Sequence, residues 1–183
     1  NYVVEWGDTI VDFEAEMDAR NQFQEVELNT WEPSKQELFK EDVNKLDGIK
    51  LESPGDLDNK TLAQLFNNEG LSLFYHGQLN NGDQKSVVES ALIRSKLSRI
   101  KGRVSIAQST LIEPRKTLEL KGVGDRFNGK TYITGVRYEF TKNVWKTDVQ
   151  FGLDEEWSAR IHEAQKNDSR QIPGKTGLYI GIV

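Results

Sequence analysis

Residues Leu118–Leu153 read LELKGVGDRFNGKTYITGVRYEFTKNVWKTDVQFGL, and the spacing within this stretch decides the fold class. Leu118 and Leu120 alternate with polar neighbours up to Gly122-Val123-Gly124-Asp125, where two glycines allow backbone angles that other residues avoid. A strand ends there. After the tight-turn dipeptide Asn128-Gly129, Tyr132, Thr134, Val136, Tyr138 and Phe140 share one face, and Thr131, Arg137 and Glu139 the other. Thr141-Lys142-Asn143 turns the chain, and Trp145, Thr147, Val149 and Phe151 alternate against Lys146, Asp148 and Gln150 on the return. The pattern predicts an antiparallel hairpin with one wet face.

Working outward, Ser86 to Lys101 is the strongest helical stretch. Ser86 is placed to cap it with Glu89 completing a capping box, Arg94, Lys96, Arg99 and Lys101 crowd its C-terminal turns, and Gly102 is the expected stop. Val104, Ile106 and Leu111-Ile112 point to strands. Near the start, Val11, Phe13, Ala15 and Met17 alternate with Asp12, Glu14, Glu16 and Asp18 as a half-buried strand. Val26, Leu28 and Thr30 predict another, ending at Trp31-Glu32-Pro33 because proline cannot donate to a central ladder. Leu62, Leu65 and Phe66 have helical spacing before Gly70, and Leu71 to Tyr75 reads as a short strand. Residues 34–56 carry no clear period beyond the turn cluster Ser53-Pro54-Gly55-Asp56. The chain has no internal repeat and no low-complexity segment.

The 183 residues suffice for one domain or two small ones. The absence of an initial Met and the strand-like apolar close suggest a piece of a longer protein. Zero cysteines exclude disulfides and thiolate metal sites. No apolar run approaches the roughly 20 residues that span a bilayer, and no signal peptide is visible, so no stable membrane insertion of this segment is expected. The net charge of −5 divides unevenly: residues 1–85 carry 7 basic and 18 acidic side chains, net −11, and residues 86–183 carry 17 and 11, net +6. This division fits two faces that meet across a subunit boundary better than a nucleic-acid surface, and it fits two ordinary solvated surfaces equally well. The basic helix lacks the interleaved aromatics that single-strand binding uses, so no nucleic-acid partner is expected.

Recognisable catalytic and cofactor motifs fail on inspection. Asp56-x-Asp58 begins like a calcium loop, but Thr61 stands where Gly is required and Asn67 where Glu is required. Gly122-x-Gly124 has Phe127 in place of the third dinucleotide-binding glycine, and a strand follows in place of a helix. His76 and His162 have no spaced partner for a zinc site. Glu14 and Glu16, flanked by Asp12 and Asp18, read as the wet face of a strand and not as a glycosidase couple. Asp154-Glu155-Glu156 suits the first turn of a helix near Trp157, and no serine lies in a nucleophile elbow. The expectation is a protein without catalytic, cofactor-binding or metal-binding residues.

The order strand, GVGDRFNGK, strand, turn, strand, QFGLDEEW resembles the C-terminal part of the hub domain of VgrG-type spike proteins (the Rhs element Vgr family) of type VI secretion and related contractile injection systems. The resemblance is close at Gly122, Gly124, Asp125, Arg126, Phe127, Asn128 and Gly129, and again at Phe151, Gly152, Leu153 and Trp157. It extends to GDTIVDFEAEMDARNQF, to SALIRSKLSRIKGRVSIAQSTLIEP and to the final GLYIGIV, which is similar to the first strand of an OB-fold neck. Residues 32–84 are the least distinctive part. Pro114-Arg115 departs from the Pro-Gly turn expected at that place.

The resemblance implies a mainly β chain with an α insert (α+β), an antiparallel β-barrel-like hub domain ending in the first strand of an OB-fold neck. The implied division is strands of the hub at 1–32, a mixed insert with a short helix at 33–85, a helix plus barrel part at 86–165 and a truncated linker into the neck at 166–183. It further implies a structural homotrimer that adapts a hexameric tube to a trimeric spike, contacts tube protein and spike-tip or effector proteins, and is assembled in the bacterial cytoplasm before ejection. On that reading Tyr132, Tyr138, Phe140 and Trp145 are barrel core, and Arg137, Glu139, Lys146 and Asp148 are candidates for partner contact. The alternatives are a cell-wall hydrolase domain of a spike or phage tail and, more weakly, a free-standing ligand-binding barrel.

Overall fold

The computed structural model describes residues 2–153, apart from 33–34, 45, 47–50, 69, 76–78, 108–110 and 142–143. The expected acidic cap at 154–156, the linker, the neck strand, His76 and His162 lie outside the described residues. Eleven elements follow in the order β1 (Tyr2–Glu5), β2 (Ile10–Met17), β3 (Glu25–Glu32), β4 (Glu37–Val43), α1 (Asn59–Leu65), β5 (Gly70–Tyr75), α2 (Asn81–Ser98), β6 (Ile100–Ile106), β7 (Thr117–Lys121), β8 (Gly129–Thr141) and β9 (Val144–Phe151). The described part of the chain is mainly β with two helices, as its patterning predicts.

Six strands form one sheet in the order β1-β7-β8-β9-β6-β2. Its first and last strands are consecutive in the chain, separated only by Trp6-Gly7-Asp8-Thr9. A flat sheet would hold those edges about 24 Å apart, five spacings of about 4.8 Å. The amide of Thr9 instead donates to the Glu5 carbonyl at 3.0 Å, and Trp6 bridges to Ile10. The sheet is therefore curled until its edges meet. β1 and β2 act as a single run that jogs at Gly7 (φ 88°) from one edge to the other. That run with β7, β8, β9 and β6 makes five staves, and an odd number cannot alternate in direction around a ring. One pair must be parallel, and it is β1 with β7, whereas β7–β8, β8–β9, β9–β6 and β6–β2 are antiparallel. The expected antiparallel, barrel-like sheet is thus present, with this one parallel pair in it.

Inside the curl, Val4, Ile10, Ile100, Val104, Ile106, Ile112, Leu118, Leu120, Ile133, Val149 and Phe151 form the main core. Two extra residues change which side chains reach it. The β2–β6 register shifts between Ile10 and Asp12, and the β8–β9 register between Ile133 and Gly135. Each bulge reverses the inward parity of its strand. In β2 it leaves Val11 exposed between Ile10 and Phe13, which both face inward. In β8 it puts Thr131 and Ile133 inside before the bulge and Val136 inside after it. The wet-face assignment of Thr131 is thereby corrected: it is buried opposite Leu118. Tyr138, Phe140 and Trp145 keep the expected face but run past the end of the core and are exposed, while Tyr132 is half-buried.

A second sheet, β4-β3-β5, pairs β3 antiparallel to β4 and parallel to β5. One face of it packs on α2 through Val26, Leu28, Val43, Val88 and Leu92. The helix starts five residues before Ser86. Asn80 is its cap, with its side-chain oxygen accepting from the Asp83 amide at 2.9 Å and its amide donating to the Asp83 carboxylate at 2.7 Å. That reciprocal pair is an N-cap braced side chain to side chain, on residues that read as a break, and Ser86 bonds back to the Gly82 carbonyl within the helix. At the other end α2 gives way at once to β6, so Gly102 is a strand residue. Ser95 ties the helix to the β2–β3 connection, donating to Asn21 O at 2.8 Å and accepting from the Phe23 amide at 3.2 Å.

Helix α1 is capped by Asp58, which accepts from the Thr61 amide at 2.8 Å, so the second carboxylate of the failed calcium pattern starts a helix. Arg115 adopts φ 66°, the left-handed region, and donates its amide to Ile133 O at 2.9 Å. The turn geometry of a Pro-Gly pair is thus kept with arginine in the glycine place. Arg115→Gly is expected to raise stability by about 0.5–1 kcal/mol, read as a higher melting temperature.

Candidate assembly surface

The outer face of the curled sheet carries charge in register across four strands. Glu14 lies opposite Arg103 and Glu16 opposite Lys101 on β2 and β6. Ser105 of β6 lies opposite Asp148 of β9, which lies opposite Arg137 of β8, and Lys146 faces Glu139. Lys101 Nζ is 3.0 Å from Glu16, and Arg103 is 3.6 Å from both Asp12 and Glu14. Lys146 is 3.3 Å from Asp148, and Arg137 is 3.7 Å from Glu139. All four residues singled out on the hairpin therefore share one face, joined there by Asp12, Glu14, Glu16, Lys101 and Arg103. Lys101 and Arg103 stand out only once β6 is aligned with β2. Exposed pairs of this kind each contribute about 0–1 kcal/mol, so the face adds little to stability and its mixed signs suit recognition.

Asp148 is the exception on this face because it is buried. The Ser105 hydroxyl donates to its carboxylate. That hydrogen bond, with Lys146 and Arg103 nearby, holds the carboxyl below the usual aspartate range. The folded value being the lower one, the stability it contributes is present above the ordinary aspartate range and is lost as pH falls through the depressed value. Ser105→Ala is expected to cost about 1–2 kcal/mol at neutral pH and to move the Asp148 titration upward in a carboxyl-carbon NMR experiment. An unmoved titration would contradict the assignment.

Asp18 does not belong to this face. It lies past the end of β2, buried, with Arg20 forking onto both carboxylate oxygens. The four cations expected on one helix are likewise dispersed: Arg94 and Lys96 lie on α2, Arg99 caps it and is buried, and Lys101 lies on β6.

An open groove of about 810 Å³ runs along β2, β6 and β9, lined by Glu14, Glu16, Lys101, Arg103, Thr134 and Gln150 over the backbone of Gly102 and Gly152. Its lining holds no His, Ser or Tyr. Among the described residues no group of three or more His, Asp and Glu side chains could hold a metal ion. No helix among them is long and apolar enough to cross a membrane.

The Gly122–Gly129 turn sits at the end of the sheet opposite the Thr141↔Val144 pair that closes the β8–β9 hairpin. Gly122, Gly124 and Gly129 have φ of 73°, 93° and 126°. Asn128 braces the turn by accepting from the Val123 amide at 2.9 Å, and the Phe127 and Asn128 amides donate to Gly124 O at 2.9 and 2.8 Å. Phe127 turns inward, edge-on to Phe13 at 5.9 Å. Asp125 remains exposed. The turn docks on the 52–58 segment: Gly55 donates its amide to Asn128 O at 2.9 Å, Arg126 meets Asp56 at 3.3 Å and Lys130 meets Glu52 at 2.9 Å. Its glycines serve shape and close approach. A Cβ on Gly129 would lie 3.2 Å from Pro54 Cα. Gly129→Val is expected to cost about 1–3 kcal/mol, and unchanged melting would contradict the turn geometry.

Residues 1–142 match the model of the Alg8 N-terminal domain. The chain belongs to that family. No curated protein matches it. Among solved structures it is similar to the 43 kDa tail protein of prophage MuSo2 from Shewanella oneidensis, with TM-score 0.54 at 8% identity over 82% of this chain and 41% of that one. It is also similar to the tail protein from Neisseria meningitidis MC58, with TM-score 0.53 at 12% identity over 86% of this chain and 45% of that one. The chain thus spans less than half the length of either tail protein. At these identities the likeness is one of fold: this member of the Alg8 N-terminal domain family has a phage-tail-protein fold. The family match does not single out the VgrG-type spikes, so the resemblance is supported at the level of the fold.

Proposed function

We propose that the chain is a structural, non-enzymatic part of a tail-like contractile injection machine, in the position of a VgrG-type hub. The observation that carries the proposal is a tail-protein fold whose outer face is a cross-strand ladder of mixed charge, with no histidine lining its groove. In this reading the curled sheet is a rigid stave, the Gly122–Gly129 turn fixes its lower end, and Arg137, Glu139, Lys146 and Asp148 contact the tube. The full-length protein is a trimer that joins a hexameric tube to a spike and carries effectors, assembled in the cytoplasm and then ejected.

Full-length protein mixed with its tube protein should co-elute on size exclusion. Arg137→Glu with Lys146→Glu should weaken that complex by roughly tenfold or more, since each reversal puts like charges together. An undiminished complex would move the contact elsewhere. Turnover of peptidoglycan that a single carboxylate substitution abolishes would replace the structural reading with a hydrolase.

A further inference from the structure

The groove along β2, β6 and β9 opens beside the chain's exit from β9. Leu153 lines it, half-buried, and donates its amide to the Leu97 carbonyl at 3.0 Å. The floor is the backbone of Gly102 and Gly152. A Cβ on Gly152 would lie 2.3 Å from the Ile100 carbonyl oxygen, so no larger residue fits there and the floor stays bare. The walls carry charge in a fixed order. Starting from Leu153, Lys101 and Arg103 of β6 come first, and Glu14 and Glu16 of β2 come one strand further.

The sequence after Leu153 runs through the same order with opposite sign. Asp154-Glu155-Glu156 come first and Arg160 follows. Trp157, Ile161 and Ala164 extend a stripe that Leu153 begins, at i+4, i+8 and i+11, the spacing of one helix face. At about 1.5 Å per helical residue, Glu155 and Glu156 come about 3–5 Å past Leu153 and Arg160 about 10 Å past it. One and two strand spacings of about 4.8 Å put β6 and β2 at those same distances from β9.

We infer that residues 154–164 form a helix that lies in this groove, its acidic first turn on Lys101 and Arg103 and its Arg160 on Glu14 and Glu16. Trp157 covers the glycine floor, where its indole N–H has carboxylate acceptors on the β2 wall. The pairs already present between β2 and β6 become part of a network, the form in which exposed charges contribute most. The seat covers the β2–β6 half of the charged face and leaves Arg137, Glu139, Lys146 and Asp148 open to a partner. It does not depend on the assembly reading.

The cysteine-free sequence makes the test direct in the whole chain. Glu16→Cys with Ile161→Cys joins the far wall to the segment. Thr117→Cys with Ile161→Cys is the reference: Thr117 pairs with Tyr132 of β8, whose carbonyl accepts from the Gly152 amide, so it lies as far from the exit on the side away from the groove. Under mild oxidation the Glu16 pair is expected to close within one chain roughly tenfold faster than the reference or more, because a seated segment raises the effective concentration. Arg160→Glu added to the Glu16 pair should bring its rate down towards the reference. Equal rates for the two pairs, or faster closure of the reference, would overturn the inference, and so would a rate unmoved by Arg160→Glu. Predominant disulfide between chains would put a second copy in the groove and overturn it too. Each of these failures leaves the oligomeric state of the full-length protein, on which the assembly reading depends, as a separate measurement.

Discussion

Gly102→Ala is expected to destabilise the chain by about 3 kcal/mol or more, one methyl group notwithstanding. Gly102 lies mid-strand in β6 opposite Ala15 and Phe151. A Cβ there would sit 2.2 Å from the Glu14 carbonyl oxygen, 2.8 Å from Ala15 Cα and 2.9 Å from the Phe151 ring. Two of those neighbours are backbone atoms of β2, so relief requires moving a strand and not a rotamer. The missing side chain also makes room for Phe151, whose ring reaches Phe13 and stacks on it at 6.1 Å. Displacing it opens the seam between β2 and β9 at the centre of the core. A melting temperature lowered by roughly 6–12 °C would match; one within about 2 °C of the parent would show that β2 and β6 do not approach this closely.

The second large effect is expected at Arg99. This guanidinium is 3% exposed and donates to Ser53 Oγ at 2.6 Å, to Pro54 O at 2.5 Å and to Leu57 O. Burial pulls its pKa down, and Asp58 and Asp56 oppose that pull without displacing the backbone acceptors. One side chain thus holds a segment that has no regular secondary structure of its own, and that segment in turn receives the Gly122–Gly129 turn. Arg99→Met keeps much of the volume but leaves two buried carbonyls and a hydroxyl without donors, and each such loss costs about 1–3 kcal/mol. The expected total is about 3–5 kcal/mol. Arg99→Lys should recover only part of this, because an ammonium does not reproduce a planar fork aimed at three acceptors. Full recovery by lysine, measured by denaturant unfolding, would show that charge and not geometry fixes the segment.

The sequence was most legible where period and punctuation agreed. β3, β5, β7 and the β8–β9 hairpin follow from alternation bounded by glycine, proline or asparagine, and the Gly122–Gly129 turn follows from its own residues. Parity within β8 was not legible, because a single added residue at Thr134 moves Thr131 and Ile133 to the inside without altering composition or period by eye. The start of α2 was misplaced because Asn80 and Asp83 serve equally well as a turn cluster and as a reciprocal cap. Helix registration then fell on Ser86. β4 escaped because Glu37–Val43 has apolar residues only at Leu38, Phe39 and Val43, which fit no alternation.

The charged face was half legible. Arg137, Glu139, Lys146 and Asp148 emerge from the hairpin alone, whereas Lys101, Arg103 and Ser105 join them only through pairing of strands nearly fifty residues apart. Arg99 read as one more cation on a basic helix. Its burial depends on a turn more than forty residues upstream, and the only local hint was the helix ending beside it.

The central claim, that the chain works as an assembly module of a tail-like machine, is tested most directly by the mass of the full-length protein in solution. Sedimentation equilibrium at micromolar concentration is predicted to give a trimer. A stable full-length monomer across that range would contradict the account.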